Sequence, residues 1–198
     1  MSKSVILCGV GGQGTVLASK LISYAAMTKE EDVKSAETIG MAQRGGSVTS
    51  HVRIGEEAFS PLIPEGKADV MIAFEPAEAV RNLRYLKHDG VVVVSAKAVK
   101  PVTSSLSTKV YEGKDMIDYL EKKVERLVVV NSEKAARQLG SSKVLNVVLL
   151  GAAIASNEID ISMDEIRNAI KEKVPEKFHE LNNHALDAGA KLYEDSLN

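Results

Sequence analysis

Four short stretches of the chain are almost continuously apolar: VILCGV at 5–10, VMIAF at 70–74, VVVV at 91–94 and LVVV at 127–130. Strands covered on both faces look like this, because helical layers on either side of a parallel sheet keep both faces from water. Between and after them, apolar residues recur at helical spacing. Residues 13–27 place Leu17, Leu21 and Tyr24 on one stripe, with Ala18, Ile22 and Ala25 beside it. Residues 76–87 open on Pro76, a favoured first helical residue, and bury Val80, Leu83 and Leu86 in the predicted helix. Residues 115–123 and 132–139 predict two more helices. The alternation predicts an α/β fold, a three-layer α/β/α arrangement around a mostly parallel, Rossmann-like sheet.

The C-terminal third has a different pattern. Residues 143–156, 162–173 and 176–195 all read as helix. Ser162 and Glu165 form a capping box ahead of Ile166 and Ile170, and Pro175 separates the last two helices. The run VVLLGAAIA at 147–155 has few polar positions and reads as a buried core helix, with Asn146 at its start as a cap or a partner inside the core. No internal repeat is present. The Ser/Thr-rich stretch 97–110 reads as a connector with a short strand near its end. It is not a domain boundary, because apolar strand signals resume after it. One domain over residues 1–198 is expected, with a sheet core at 1–140 and a helical extension at 141–198 packed on it.

One strand departs from the buried kind. In SVTSHVRI at 47–54, Val48, Ser50, Val52 and Ile54 share one face, and Ser47, Thr49, His51 and Arg53 share the other. This is a half-covered strand, and the expectation for His51 and Arg53 is a solvated face.

Composition narrows the class. The chain has 198 residues, 44% hydrophobic and 26% charged, ordinary for a globular protein. At this size roughly 70% of the unfolded surface is buried on folding, enough for one good core. A net charge of −2 gives no strong field for nucleic acid or for an anionic membrane. The longest apolar segment, VLNVVLLGAAIA at 144–155, falls short of the roughly 20 residues a membrane-spanning helix needs. MSKSVILCGV has no signal-peptide pattern, so a cytoplasmic location is expected. The one cysteine, Cys8, lies within an apolar run and reads as a buried, inert thiol. One cysteine forms no internal disulfide and holds no iron–sulfur cluster, which usually needs four thiolates.

The first strand runs into GVGGQG at 9–14, a G-x-G-x-x-G pattern made by Gly9, Gly11 and Gly14. Glycine allows a tight turn and a close approach of backbone, so a diphosphate could meet the free N–H groups at the positive end of the following helix. A strand–helix turn packed tightly on a neighbouring loop needs the same glycines. A nicotinamide site also requires an acid at the end of the second strand, roughly 20 residues on. Glu37 is the candidate, but the segment before it, DVKSAE, is short and polar and gives a poor strand signal.

The stretch ETIGMAQRGGSVTSHVRIG follows at 37–55. Its Gln43-Arg44-Gly45-Gly46 run offers one permanent cation on flexible backbone, suited to a phosphate or carboxylate or to an acid on another subunit. GVGGQG followed by this stretch resembles the gamma-type domain of the 2-oxoacid:ferredoxin oxidoreductases. The Ala-Gln-Arg-Gly-Gly form is most similar to the indolepyruvate branch of that family. The likeness extends, less sharply, through ADVMIAFEPAEAVRNLRYL and NVVLLGAAIA, and so covers most of the chain.

The resemblance implies a reaction and a division of labour. An aryl 2-oxoacid such as indolepyruvate is decarboxylated on thiamine diphosphate, the acyl group passes to coenzyme A, and electrons leave through iron–sulfur clusters to ferredoxin. It implies that thiamine diphosphate, Mg and the 4Fe–4S clusters are carried by a large alpha subunit, the partner in a hetero-oligomer. This chain would contribute to the coenzyme A side of the active site and to subunit contacts. On that reading Gly9, Gly11, Gly12, Gln13 and Gly14 lie near the coenzyme A diphosphate. Gln43, Arg44, Gly45 and Gly46 would approach the same ligand or the partner's thiamine pocket.

The remaining residues give no independent catalytic set. HDG at 88–90 is the nearest echo of a thiamine motif and leads straight into a buried strand. His179 and His184 are five residues apart, about 140° around a helix, where a zinc pair would be four apart. His51 and His88 have no ligand pattern near them, and no nucleophile motif is visible. Glu75 and Ser95 fall at carboxyl ends of strands, where α/β sheets place ligands, and Glu75 also precedes a helix start, where its charge suits the dipole. Two other readings stand beside the subunit: an autonomous NAD(P)-binding oxidoreductase resting on Gly9, Gly11, Gly14 and Glu37, and a non-catalytic assembly module of the same fold.

Overall fold

The computed structural model describes residues 2–40, 45–100 and 111–197. Among these residues six strands form one sheet: β1 (Lys3–Val10), β2 (Val33–Ile39), β3 (Ser47–Ile54), β4 (Ala68–Ala73), β5 (Leu86–Ser95) and β6 (Arg126–Val130). Their order is β2-β3-β1-β4-β5-β6. The four apolar runs become β1, β4, β5 and β6, which are mutually parallel, with Val5 opposite Val70, Val70 opposite Val91 and Val91 opposite Arg126. Strand β3 runs antiparallel to both of its neighbours, β1 and β2, so it alone opposes the direction of the sheet.

Alternation along the strands builds a core on each face. Val5, Leu7, Val70, Ile72, Val91, Val93, Val128 and Val130 point to the larger one. It is covered by α1 (Thr15–Met27), α4 (Ser132–Leu139), α5 (Leu145–Ala155), α6 (Met163–Lys173) and α7 (His179–Ser196). Ile6, Cys8, Met71, Ala73, Val92 and Val94 point to the smaller one, under α2 (Pro76–Asn82) and α3 (Lys114–Lys123). The three-layer α/β/α fold expected from the sequence is therefore observed.

Three local expectations are corrected. β6 is an edge strand, so Val129 is 40% exposed and the run LVVV is covered on one face only. Helix α2 stops at Asn82 and passes through a 3₁₀ turn at Leu83–Tyr85. Leu86 then opens β5 and does not extend the helix, so HDG lies inside that strand. DVKSAE does contribute to a strand, β2, whose polar sequence fits its place at the exposed sheet edge. The end of the 97–110 connector, where a short strand was expected, lies outside the described residues.

The helical layer is locked where α5 crosses α7. Gly151 and Gly189 face the opposite helix so closely that a methyl group on Gly151 would lie 2.1 Å from the Leu186 carbonyl oxygen. One on Gly189 would lie 2.0 Å from that of Val148. α5 is buried nearly all round, as VVLLGAAIA predicts, and rests on β4 and β5 as well as on α7. The Ser162–Glu165 capping box opens α6 as expected. No helix among the described residues is long and apolar enough to cross a membrane.

Candidate functional site

The helix after β1 packs on the larger core and the helix after β4 on the smaller one. Adjacent parallel strands thus send their connections to opposite faces, and a crevice opens at their carboxyl ends, where such sheets hold ligands. Gly14 is the N-cap of α1 at φ 85°, a left-handed conformation that glycine adopts without steric cost. No side chain caps the helix there and its first turn carries no acid, so the positive end of the helix dipole is not offset by its own residues.

The glycine turn is stitched to its surroundings. Gln13 accepts from the Val10 N–H at 2.8 Å and donates to the Phe74 carbonyl at 2.9 Å, bridging the ends of β1 and β4. Asn146, at the start of α5, donates to the Gly14 carbonyl at 3.4 Å and lies where a Cβ on Gly14 would be. It does not cap α5, whose N-cap is Val144. The Gly11 N–H donates to the Gly46 carbonyl at 2.8 Å, and the Gln13 N–H donates to the Val10 carbonyl. Of the backbone N–H groups of Gly11, Gly12, Gln13 and Gly14, those of Gly11 and Gln13 are thus engaged within the chain.

The Gly11–Gly46 bond joins the two sequence motifs. The turn entering β3 folds back over the glycine loop, with Gly45 at φ 76°. Ser47 then donates to the buried Glu78 carboxylate at 2.6 Å, tying the same turn to α2. Gln43 and Arg44 lie outside the described residues.

A cavity of about 400 Å³ lies against the loop, lined by Gly12, Gly14, Leu17, Phe74, Lys97 and Lys143 among others. Lys97 follows the carboxyl end of β5, with its N–H on the Ser95 hydroxyl. Lys143 precedes α5. These two cations and Glu78 were missed by sequence reasoning, which read Asn146 only as a cap or a core partner. The one available signal was that Lys97 lies two residues past a buried strand, at the end where ligands bind.

Glu75 is only 2% exposed and caps α2, its Oε2 accepting from the Glu78 N–H at 3.0 Å. The helix contact expected for it is present, and it has further donors. The Tyr111 hydroxyl and the Val99 N–H both reach Oε1, so this carboxylate holds both flanks of the connector that carries Lys97. Burial, then the bond to Glu75, pushes the Tyr111 hydroxyl well above its ordinary pKa.

Other expectations resolve as follows. His51 is 4% exposed, contrary to the solvated face expected for it. Its Nδ1 accepts from the Ile63 N–H at 3.2 Å and its ring meets Tyr85 edge-on, because the loop after β3 folds over that face. Burial lowers its pKa. Arg53 is part-buried, with Nη1 on the Ser60 carbonyl. Glu37 accepts from Ser19 and lies on the edge strand β2. A ribose-binding acid belongs at the carboxyl end of a parallel strand beside β1, and β3 occupies that position antiparallel. Cys8 is fully buried, with its thiol pKa raised first by burial and then by Glu78 and Glu75. This thiol is not placed to ligate iron. No cluster of three or more His, Cys, Asp or Glu side chains is gathered for a metal among the described residues.

A glycine turn at the switch point of a mostly parallel sheet, with a β-hairpin folded back over it and two lysines lining the adjoining cavity, defines a Rossmann-like α/β domain. The sequence places it more narrowly: the chain belongs to the pyruvate ferredoxin/flavodoxin oxidoreductase family, whose profile matches residues 4–192. It is 40% identical over 190 residues to the indolepyruvate oxidoreductase subunit IorB of Archaeoglobus fulgidus, covering 96% of this chain and 94% of that one. It is 36% identical over 199 residues to the protein of the same name from Thermococcus kodakarensis, covering 98% and 97%. The gamma subunit of the keto/oxoacid ferredoxin oxidoreductase of Geobacter sulfurreducens superposes with a TM-score of 0.71, at 25% identity over 98% of this chain and 99% of that one. The family expected from GVGGQG and MAQRGGSVTSHVRIG is thereby borne out.

Proposed function

We propose that this chain is the small, non-autonomous subunit of an indolepyruvate-type 2-oxoacid:ferredoxin oxidoreductase, and that it holds the coenzyme A end of the reaction. Likeness over nearly the full length to IorB subunits carries the first part. The chemistry of the chain agrees with it. Oxidative decarboxylation needs a carbanion-stabilising cofactor and an electron path, and one buried cysteine provides no cluster ligands. In this reading a large alpha subunit brings thiamine diphosphate, Mg and the 4Fe–4S clusters, and ferredoxin accepts the electrons from the assembled complex.

The second part is carried by the crevice at the glycine turn. Gly12 and Gly14, the amino end of α1, Lys97 and Lys143 form a cationic cradle suited to a diphosphate. Gly9, Gln13 and Asn146 give the turn its shape. Gly45 and Gly46 cover it from the hairpin, and Gln43 and Arg44 immediately precede them in the sequence. Binding there fixes the thiol acceptor near the partner's acyl intermediate, and orientation of this kind is what a subunit without reactive groups contributes.

The test is anaerobic co-purification of the tagged chain from its host, followed by viologen reduction with indolepyruvate, with and without coenzyme A. Coenzyme A-dependent reduction by a complex containing a large cluster-bearing subunit is expected. In that complex Arg44→Ala and Lys97→Ala raise the coenzyme A requirement without dissociating the subunits. A chain that elutes alone and inert would overturn the assignment.

A further inference from the structure

A second cavity of about 310 Å³ adjoins the cradle and shares Leu17 and Lys143 with it. It lies between the first turn of α1, the start of α5 and the α6–α7 junction, and its walls are mostly Val144, Val174, Pro175, Phe178 and Leu181. Lysines mark its rim. Lys173 lines it, with Nζ held 4.0 Å from the centroid of the Tyr24 ring, and Lys177 Nζ is 5.0 Å from the centroid of Phe178. None of the residues described along either cavity is Asp or Glu, although the chain carries 27 acids against 25 basic residues. The two cavities thus form one groove, with a polar cationic end at the glycine turn and an apolar end rimmed by cations.

We propose that the apolar end takes the purine base of the adenine nucleotide whose diphosphate lies in the cradle; this rests on the coenzyme A reading above. The thiol must leave this chain to reach chemistry held by the partner, so the end of the ligand retained deepest here is the nucleotide. A flat heterocycle gains from packing between aliphatic and aromatic walls, and few polar groups are needed to orient it. The amide-rich pantetheine arm would leave its hydrogen-bonding groups unmet there. Lys143, shared by both cavities, stands where the ribose joins base to diphosphate, and it and Lys173 answer the charge of the 3′-phosphate on that ribose.

The experiment compares variants in the assembled complex, measuring KM for coenzyme A and Ki for adenosine 3′,5′-bisphosphate as a competitor. Phe178 is 40% exposed, so Phe178→Glu adds an acid to the acid-free groove at little risk to folding. Both constants are expected to rise about tenfold, a loss of the size that one displaced apolar contact and one repelled phosphate produce, while KM for the oxoacid stays. Phe178→Ala gives a smaller rise in the same two constants. If Lys97→Ala raises both constants and neither Phe178 variant does, the base lies elsewhere and the coenzyme A reading survives. If all three variants leave them unchanged, both fall. If Phe178→Glu releases the partner on size exclusion and Phe178→Ala leaves both constants unchanged, the cavity is a subunit contact and the base assignment is overturned.

Discussion

Replacing Gly189 with alanine tests the helical layer that floors the groove. The added methyl carbon would lie 2.0 Å from the Val148 carbonyl oxygen and 2.9 Å from the Ala152 nitrogen. Both are backbone atoms of α5, so no side chain can swing aside, and α5 and α7 must move apart by about 1 Å. A gap of that size forfeits a quarter to a half of each dispersion contact, each worth about 0.1–0.2 kcal/mol. Val148, Ala152, Ala185 and Leu186 are all fully buried at the crossing. With about 15 cross-helix contacts each, they lose roughly 3 kcal/mol together. Alanine returns about 1 kcal/mol through its better helix propensity. The net loss is about 2 kcal/mol, within the range for overpacking, or about 4–8 °C in Tm for a chain of this length. Denaturant unfolding followed by circular dichroism measures it. Gly151→Ala should cost a similar amount, and the double variant less than the sum, because helices already parted admit the second methyl. A Gly189→Ala chain as stable as the parent, or more stable, would refute the close crossing.

Gln13→Ala removes the bridge between β1 and β4 and leaves the Val10 N–H and Phe74 carbonyl without it, in residues that are almost fully buried. A loss of about 2 kcal/mol is expected by the same unfolding assay, since each stranded group costs about 1–3 kcal/mol before relaxation; an unchanged midpoint would remove the bridge from the account. His51 predicts a pH dependence. Its folded pKa lies below the ordinary 6.5, so between those two values the unfolded chain binds the extra proton and stability rises with pH. The contribution is fully present above about 6.5 and is lost as pH falls through the window down to the folded pKa. Protonation would also turn the acceptor of the Ile63 N–H into a donor. Urea midpoints from pH 7.5 to pH 5 should therefore fall more steeply for the parent than for His51→Gln, and parallel curves would refute it.

The sequence alone determined the layers and the first half of the site. Runs such as VMIAF and VVVV have no polar face to offer water, so only a sheet covered on both sides accommodates them, and β4 and β5 are such strands. GVGGQG was legible for a similar reason, since its backbone demands glycine wherever it occurs. Edges were not legible in the same way. LVVV has the composition of a central strand and became an edge because no strand among the described residues pairs beyond β6. DVKSAE looked too polar for a strand and became one because an edge tolerates polar residues.

Only the tertiary structure decided which residues meet. His51 sits on the alternation expected of a solvated face and is buried by a loop that no local pattern announces. Lys97 and Lys143 are 46 positions apart and belong to different elements, yet line one cavity with Gly14. The bond from Gly11 to Gly46 closes one motif over the other. Local sequence fixes backbone preference and the direction of burial. The convergence of distant polar groups depends on strand order, here on an antiparallel hairpin entering beside β1, and strand order is a property of the whole chain packed at once.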